Sequence, residues 1–275
     1  RDDLMISYAP IGGSVGPHTD GYDVFLLQAK GTRRWQVGAE PLLETRLIEG
    51  LDLKILSEFT ADESWELEPG DMLYLPPHFA HHGVAQNDCI TFSIGFRAPT
   101  QTEVLDAYLQ ELADSDIGDV HYSDPDLNVN TSETKIDKRA MARFKQSLID
   151  TINQSDTLLQ SAVGRLVTQT KPSLEWLADE YIQDNDPMSL STQFESGGIL
   201  QRNRYIRMAW TEGENHLFLF IAGEKLTLSA SNQSMINMLT GVLPISLQQW
   251  ESLQQYEGAE QVLNALIQHG GWYWE

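Results

Sequence analysis

Six short segments in the first hundred residues, 4–8, 22–29, 33–37, 65–67, 72–75 and 89–96, are rich in β-branched or aromatic residues and bounded by Gly, Pro, Asn or Asp. This punctuation predicts strands, not helices. Many short strands divided by turns form a sandwich or barrel, because only there does each strand bury a face. Residues 67–76 carry the sharpest signals. Pro69-Gly70 sets a tight turn. The strand after it runs to Pro76-Pro77, which end pairing and present the following histidines at a rim. Ligand sites of small barrels lie at such mouths.

The segment Gly16-Pro17-His18-Thr19-Asp20 leads into the apolar run Val24-Phe25-Leu26-Leu27. His18 and Asp20 are two apart, and on an extended strand positions i and i+2 share a face. Imidazole and carboxylate can therefore converge on one ion. A third ligand is available from His78, His81 or His82, which cannot all face one metal on an extended backbone. Spacing leaves His81 and His82 level, with His78, beside the proline turn, behind them. Two histidines and a carboxylate on one face of a metal, with the other positions open, suit a non-haem Fe(II) oxygenase. The alternative is a barrel with a structural metal or none.

Charge bears on partners. The formal net charge is −22, and no region of the chain is basic. Direct nucleic-acid binding is disfavoured, since neutralising phosphates needs clustered Lys and Arg, whereas a cationic partner would be drawn in. The single cysteine, Cys89, allows no internal disulfide and fits a reducing cytosol. No run reaches the roughly 18 apolar residues of a membrane helix, and no secretory signal opens the chain. A cytoplasmic location is the expectation. The chain opens on Arg1 within a strand-like pattern, which reads as a fragment whose missing N-terminal part completes the first domain.

Beyond residue 100 the periodicity changes. Thr100 and Glu103 make a capping box ahead of an apolar stripe of Val104, Leu105, Tyr108, Leu109 and Leu112. Helical patterns recur over 135–152 and 155–168, and the polar stretch 114–134 between reads as a loop. Helices this amphipathic need a further surface to bury their stripes. Residues 184–198, rich in Ser, Asp, Asn and Gly, read as a linker. Strand-like 199–210, 217–222 and 226–229 and helical 234–239 and 259–268 follow. The fold class is α+β.

The segment 16–25, the Gly-Asp-x-Leu-Tyr-Leu-Pro-Pro run at 70–77, His81 and Ser93-Ile94-Gly95-Phe96-Arg97-Ala98-Pro99 together resemble the JmjC-type 2-oxoglutarate oxygenases. More narrowly, they resemble the bacterial ribosomal oxygenases that hydroxylate an arginine of large-subunit ribosomal protein L-sixteen. The likeness runs to the last residue. It implies a double-stranded β-helix (cupin or jelly-roll) barrel over 1–100, a helical dimerisation region over 101–183, and a linker with a winged-helix-like domain over 184–275. It implies Fe(II), 2-oxoglutarate as cosubstrate and O2. In the family pattern Pro-Pro-x-Phe-x-His-x-Gly the ligand histidine falls on His81, so the implied metal set is His18, Asp20 and His81.

The cosubstrate's distal carboxylate needs a cation, best a bidentate guanidinium. Arg33 and Arg34 share a strand with side chains on opposite faces, and the resemblance picks Arg33 as the inward one. Thr91 and Ser93 share a strand face and could offer hydroxyls to the cosubstrate or the ligands. A substrate arginine needs an anion and a flat apolar surface. Asp3 and Met5 share a face by period 2, and Tyr22 lies two beyond Asp20. The resemblance assigns Asp3 to the guanidinium, with Tyr22 stacking on it. The partner implied is a ribosomal protein, and the assembly a homodimer. The C-terminal module has only Arg202, Arg204, Arg207 and Lys225 against seven acids, which fits a protein-interaction or structural wing and not a DNA reader. The competing functions are another JmjC-class hydroxylase or demethylase (histidyl, asparaginyl or lysyl substrate) and a non-catalytic metal-binding cupin regulator.

Overall fold

The computed structural model describes residues 3–125, 134–170 and 189–275. The chain divides into two compact units, residues 1–98 and 99–275. The boundary expected at 183/184 lies outside the described residues.

The first unit is built from seven strands: β1 (Asp3–Ala9), β2 (Asp23–Lys30), β3 (Arg33–Pro41), β4 (Glu63–Leu67), β5 (Met72–Leu75), β6 (Phe79–Ala85) and β7 (Cys89–Phe96). They form two antiparallel sheets, β1-β7-β2-β5 and β4-β3-β6. Strict alternation fixes which faces meet. Val24 and Leu26 of one sheet and Trp35 and Val37 of the other are buried in a single cluster with Leu67 and Leu75. This is the expected jelly-roll arrangement of two sheets around one core. The same alternation carries Gln28 and Arg33 inward, and leaves Arg34 exposed.

The β2–β3 turn requires Gly31, which sits at φ +63°. A Cβ there would lie 2.3 Å from the Asp88 carbonyl oxygen. One strand departs from expectation. Residues 79–85 carry no run of β-branched residues and follow two prolines, so local propensity is silent there, yet they form β6. Tertiary pairing makes it a strand: β6 closes against β3, with Val37 opposite His81 and Trp35 opposite Gly83.

The second unit opens with α1 (Gln101–Ala113), where the capping box forms as expected. Glu103 N donates to Thr100 Oγ1, and the Glu103 carboxylate accepts from Thr100 N at 2.7 Å. Then come α2 (Lys138–Gln154), α3 (Asp156–Thr168), α4 (Leu190–Glu195), β8 (Leu200–Arg202), β9 (Met208–Glu212), β10 (His216–Ile221), β11 (Glu224–Ser229), α5 (Gln233–Thr240), α6 (Leu247–Leu253), α7 (Ala259–Gln268) and β12 (Trp272–Trp274). The helix α4 lies inside the stretch expected to be a linker. Ser189 caps it, and Leu190 and Phe194, four apart, are buried on one face. The wing proper is the sheet β11-β10-β9, with β12 paired to β8. Its core holds Phe194, Trp250, Leu263 and Trp272. α3 lies so close to β10 that a Cβ on Gly164 would meet the Phe220 ring at 2.2 Å. α1 and α3 are tied by Arg165 Nε to Glu111 at 2.9 Å, and Tyr108 donates to the Thr151 carbonyl at 3.0 Å. No described helix is long and apolar enough to cross a membrane.

Candidate metal centre

His18 and Asp20 do not lie on a regular strand. They precede β2 on a segment clipped to the start of β6. His18 N donates to the His81 carbonyl at 3.0 Å, His81 N to the His18 carbonyl at 2.9 Å, and His78 N to the Asp20 carbonyl at 2.7 Å. Directly opposed residues of an antiparallel bridge project to the same side. The two imidazoles therefore meet, with ring centroids 4.2 Å apart. One ligand atom from each of His18, Asp20 and His81 lies within 4.8 Å of the others, and His81 Nε2 is 3.6 Å from Asp20 Oδ2.

Hydrogen bonding selects which ring nitrogens are available. His18 Nδ1 is 2.9 Å from the Gly16 carbonyl, and His81 Nδ1 is 3.0 Å from the Phe79 carbonyl. A carbonyl only accepts, so both Nδ1 atoms carry a proton, which leaves the Nε2 atoms as the metal-facing nitrogens. A carbonyl that accepts from one ring nitrogen fixes the ring and turns the other nitrogen toward a metal. His81 is buried, and burial, followed by the neighbouring His18, pushes its pKa down to about 4, which keeps it in the neutral, ligating form. Two imidazoles and one carboxylate suit a divalent ion of the iron group.

The three-way choice of histidine is decided by strand alternation. His81 points in. His82, one residue on, points away, with its Nε2 2.9 Å from Ser14 Oγ and its ring edge-on to Phe59. His78 sits at φ +68° in the turn before β6.

Beside this cluster lies a second polar feature. Arg33 is only 5 % exposed. Its Nη1 donates to Ser7 Oγ at 3.3 Å and to Thr91 Oγ1 at 3.4 Å, and its Nη2 to the Gly83 carbonyl at 3.4 Å. Its Nε is buried and has no hydrogen-bond partner. Among the described residues no carboxylate lies within 4.0 Å of it. Burial lowers its pKa, the sign of a cation held without full compensation. An unpaired buried charge is costly, so the pocket is suited to an anion from outside the chain. The Trp35 ring links the two features, with its centroid 5.1 Å from the Arg33 guanidinium carbon and 5.9 Å from the His81 ring. A small dicarboxylate reaching from a metal to Arg33 fits this donor set.

The remaining expected residues are distributed as follows. Thr91 and Ser93 both lie on β7, Thr91 fully buried opposite Gln28 and Ser7, and Ser93 half-buried opposite Leu26 and Met5. Met5 is exposed on the edge strand β1. Tyr22 is half-buried and packs against the barrel core. Asp3 begins β1 opposite Gly95, but its side chain lies outside the described residues.

Three residues that the sequence did not single out shape the pocket: Ser7, Gln28 and Gly83. Gln28 had a visible signal, a polar side chain on the inward register of Val24-x-Leu26-x-Gln28. Gly83 is required by packing. A Cβ there would lie 2.7 Å from the Trp35 ring and 2.9 Å from Arg33 Nε. Gly83→Ala is expected to cost about 1–3 kcal/mol, as overpacking does, and to push the guanidinium off its site. Urea unfolding and dicarboxylate titration of the variant check both effects.

Residues 1–104 match the family model described as the JmjC domain, and residues 147–273 match the ROXA-like winged helix. The chain is 30% identical over 274 residues to the "Ribosomal protein uL16 3-hydroxylase" of Escherichia coli, covering 100% of this chain and 71% of that protein. It is 36% identical over 237 residues to the "Probable ribosomal oxygenase" of Haemophilus influenzae, covering 82% of this chain and 57% of that one. Among solved structures, the Escherichia coli ribosomal oxygenase YcfD in complex with cobalt and 2-oxoglutarate matches with a TM-score of 0.75 at 27% identity, over 100% of this chain and 70% of that one.

Proposed function

We propose, from the premise that this chain belongs to the bacterial JmjC-type ribosomal oxygenase family, that it is an Fe(II)- and 2-oxoglutarate-dependent dioxygenase. Its substrate in this reading is an arginine side chain of a large-subunit ribosomal protein, met in the cytoplasm. The observation that carries the reading is the convergence of His18, Asp20 and His81 beside a buried guanidinium that meets no carboxylate among the described residues.

When bound, iron supplies the redox chemistry by which 2-oxoglutarate and O2 become succinate and carbon dioxide while one oxygen atom enters the substrate. The chain supplies geometry. His18, Asp20 and His81 would hold the ion, the histidines through Nε2 and Asp20 through its carboxylate. Arg33 fixes the distal carboxylate of the cosubstrate and so its orientation. Trp35 belongs to the apolar core cluster beside Arg33, so a carboxylate paired with Arg33 would meet it in a low-dielectric setting, where charge-assisted bonds are strongest. Asp3, Met5 and Tyr22 are assigned to the incoming arginine, with Asp3 pairing its guanidinium and Tyr22 stacking on it. The strongly acidic chain would speed encounter with a basic ribosomal protein.

Two further assignments belong to this reading. The first is a homodimer formed through the helices after residue 100. Met141, Phe144, Leu148 and Ile152 recur at helical spacing on α2 and are all exposed, and α2 buries none of its residues. The wild-type chain is expected to sediment as a dimer, and Leu148→Asp with Ile152→Asp as a monomer of half the mass. A wild-type monomer at micromolar concentration would contradict this. The second is that the wing contacts protein and not DNA. Three of its four basic groups are engaged within the fold, since Arg202 donates to the Gly271 and Ile206 carbonyls, Arg207 to the Val167 carbonyl and Lys225 to Ser161 Oγ, while Arg204 is exposed.

Tandem mass spectrometry of ribosomal-protein peptides incubated with the iron-loaded protein tests the substrate assignment. One added oxygen on an arginine supports it. The same addition on a histidine or asparagine would move the protein to another branch of the same chemistry.

A further inference from the structure

Gln28 is the most deeply buried polar side chain of the first unit, with 0% exposure, and the chemistry proposed above gives it no part. Its surroundings can be settled by counting protons. The Gln28 amide nitrogen lies 2.8 Å from the Lys30 carbonyl and 3.1 Å from the Gly31 carbonyl. Both contacts are to acceptors, so both amide hydrogens are engaged in the β2–β3 turn and the amide cannot be flipped. The amide oxygen is thereby directed at Thr91 Oγ1, 2.9 Å away. An amide oxygen only accepts, so Thr91 must donate its single proton to Gln28. What Thr91 has left is lone pairs, and Arg33 Nη1 lies on that side at 3.4 Å. Ser7 is arranged likewise. Its hydroxyl donates to the Thr91 carbonyl at 3.3 Å and accepts from Arg33 Nη1 at 3.3 Å.

We infer that Gln28 is a positioning residue for the anion pocket: by holding the Thr91 hydroxyl as an obligate acceptor, it anchors the Nη1 side of the Arg33 guanidinium and so sets the orientation in which the cation meets the ligand. The chain of bonds runs from the Gly31 turn through Gln28 and Thr91 to Arg33. It gives Thr91 a role different from donating to the cosubstrate, because its proton is already committed. It also explains why a glutamine occupies an inward position otherwise filled by Val24 and Leu26. A leucine there would satisfy the core but would leave Thr91 free to rotate its proton toward the guanidinium, cation facing donor.

The inference rests on the oxygenase reading only in naming the ligand. Calorimetric titration of 2-oxoglutarate into the Zn(II)-loaded protein tests it without turnover, in a double-mutant cycle of Gln28→Met and Thr91→Val. Each single variant is expected to weaken dicarboxylate binding roughly tenfold, the scale of one lost hydrogen bond to a charged group. The double variant should bind within about twofold of the weaker single, because both changes break one relay. Zn(II) affinity should be unchanged throughout, and Thr91→Ser should restore binding. Gln28→Asn keeps a polar amide at the turn but falls one methylene short of Thr91, so it serves if Gln28→Met does not fold, and the same tenfold loss is expected. A folded Gln28 variant with wild-type affinity, or losses that multiply in the double variant, would overturn the inference alone. A wild-type protein that binds zinc but no dicarboxylate would overturn the oxygenase reading and this inference with it.

Discussion

Arg33→Met lowers the affinity of the metal-loaded protein for 2-oxoglutarate by about a hundredfold to a thousandfold, the loss expected for two hydrogen bonds to a charged group. The same variant without ligand is expected to be as stable as the wild type or slightly more so. The reason lies in the apo pocket, where the guanidinium is 5 % exposed, has an orphaned Nε and faces no carboxylate among the described residues. Removing an uncompensated buried charge relieves a desolvation cost. The two effects have opposite signs, which separates this account from one in which Arg33 is a structural ion-pair residue. In that case the variant would unfold more easily and its ligand affinity would be secondary. Arg33→Lys should fall between, because an ammonium keeps the charge but loses the planar fork. Thermal denaturation with and without the dicarboxylate reads both arms, and the ligand-induced rise in Tm should vanish in Arg33→Met.

Asp20→Ala is expected to weaken divalent metal binding by more than about a hundredfold, beyond the range seen when only a group hydrogen-bonded to a metal ligand is removed, and to reduce succinate formation to background. Asp20 is the one anion of the three converging side chains, so its loss removes both a ligand and the charge that balances the ion. The fold should survive, since the Asp20 side chain is partly exposed and its main chain, not its carboxylate, makes the bond to His78 N. Equilibrium dialysis against Fe(II) or Co(II) measures the loss directly. Retention of wild-type affinity would place the metal elsewhere.

The legible parts of this chain were those carried by local chemistry. The His18-x-Asp20 spacing, the Pro69-Gly70 turn, the capping box at Thr100 and Glu103 and the alternation around Arg33 and Arg34 are all short-range patterns. The structure agrees with each, although the His-x-Asp pair sits on a bridged segment and not on a strand. What escaped was set by distant partners. β6 is a strand because β3 pairs with it, and nothing in Phe79–Ala85 announces that. For the same reason His81 and His82 could not be ranked from spacing: the ranking needs the register that puts His81 opposite both Val37 and His18. Gly83 carries no local signal, because its requirement comes from the Trp35 ring and Arg33 Nε, which fill the space a Cβ would take. The helix α4 was hidden because a Ser- and Gly-rich composition masked two core residues, Leu190 and Phe194, at helical spacing.

One measurement bears most directly on the central claim that His18, Asp20, His81 and Arg33 together make an oxygenase site. It is the yield of succinate from 2-oxoglutarate by the Fe(II)-loaded protein in air, with a ribosomal-protein peptide present and absent. The expected result is succinate that rises with the peptide, matches the oxygen gained by it, and disappears in Asp20→Ala. A wild-type protein that takes up Fe(II) and 2-oxoglutarate yet forms no succinate under any of these conditions would contradict it.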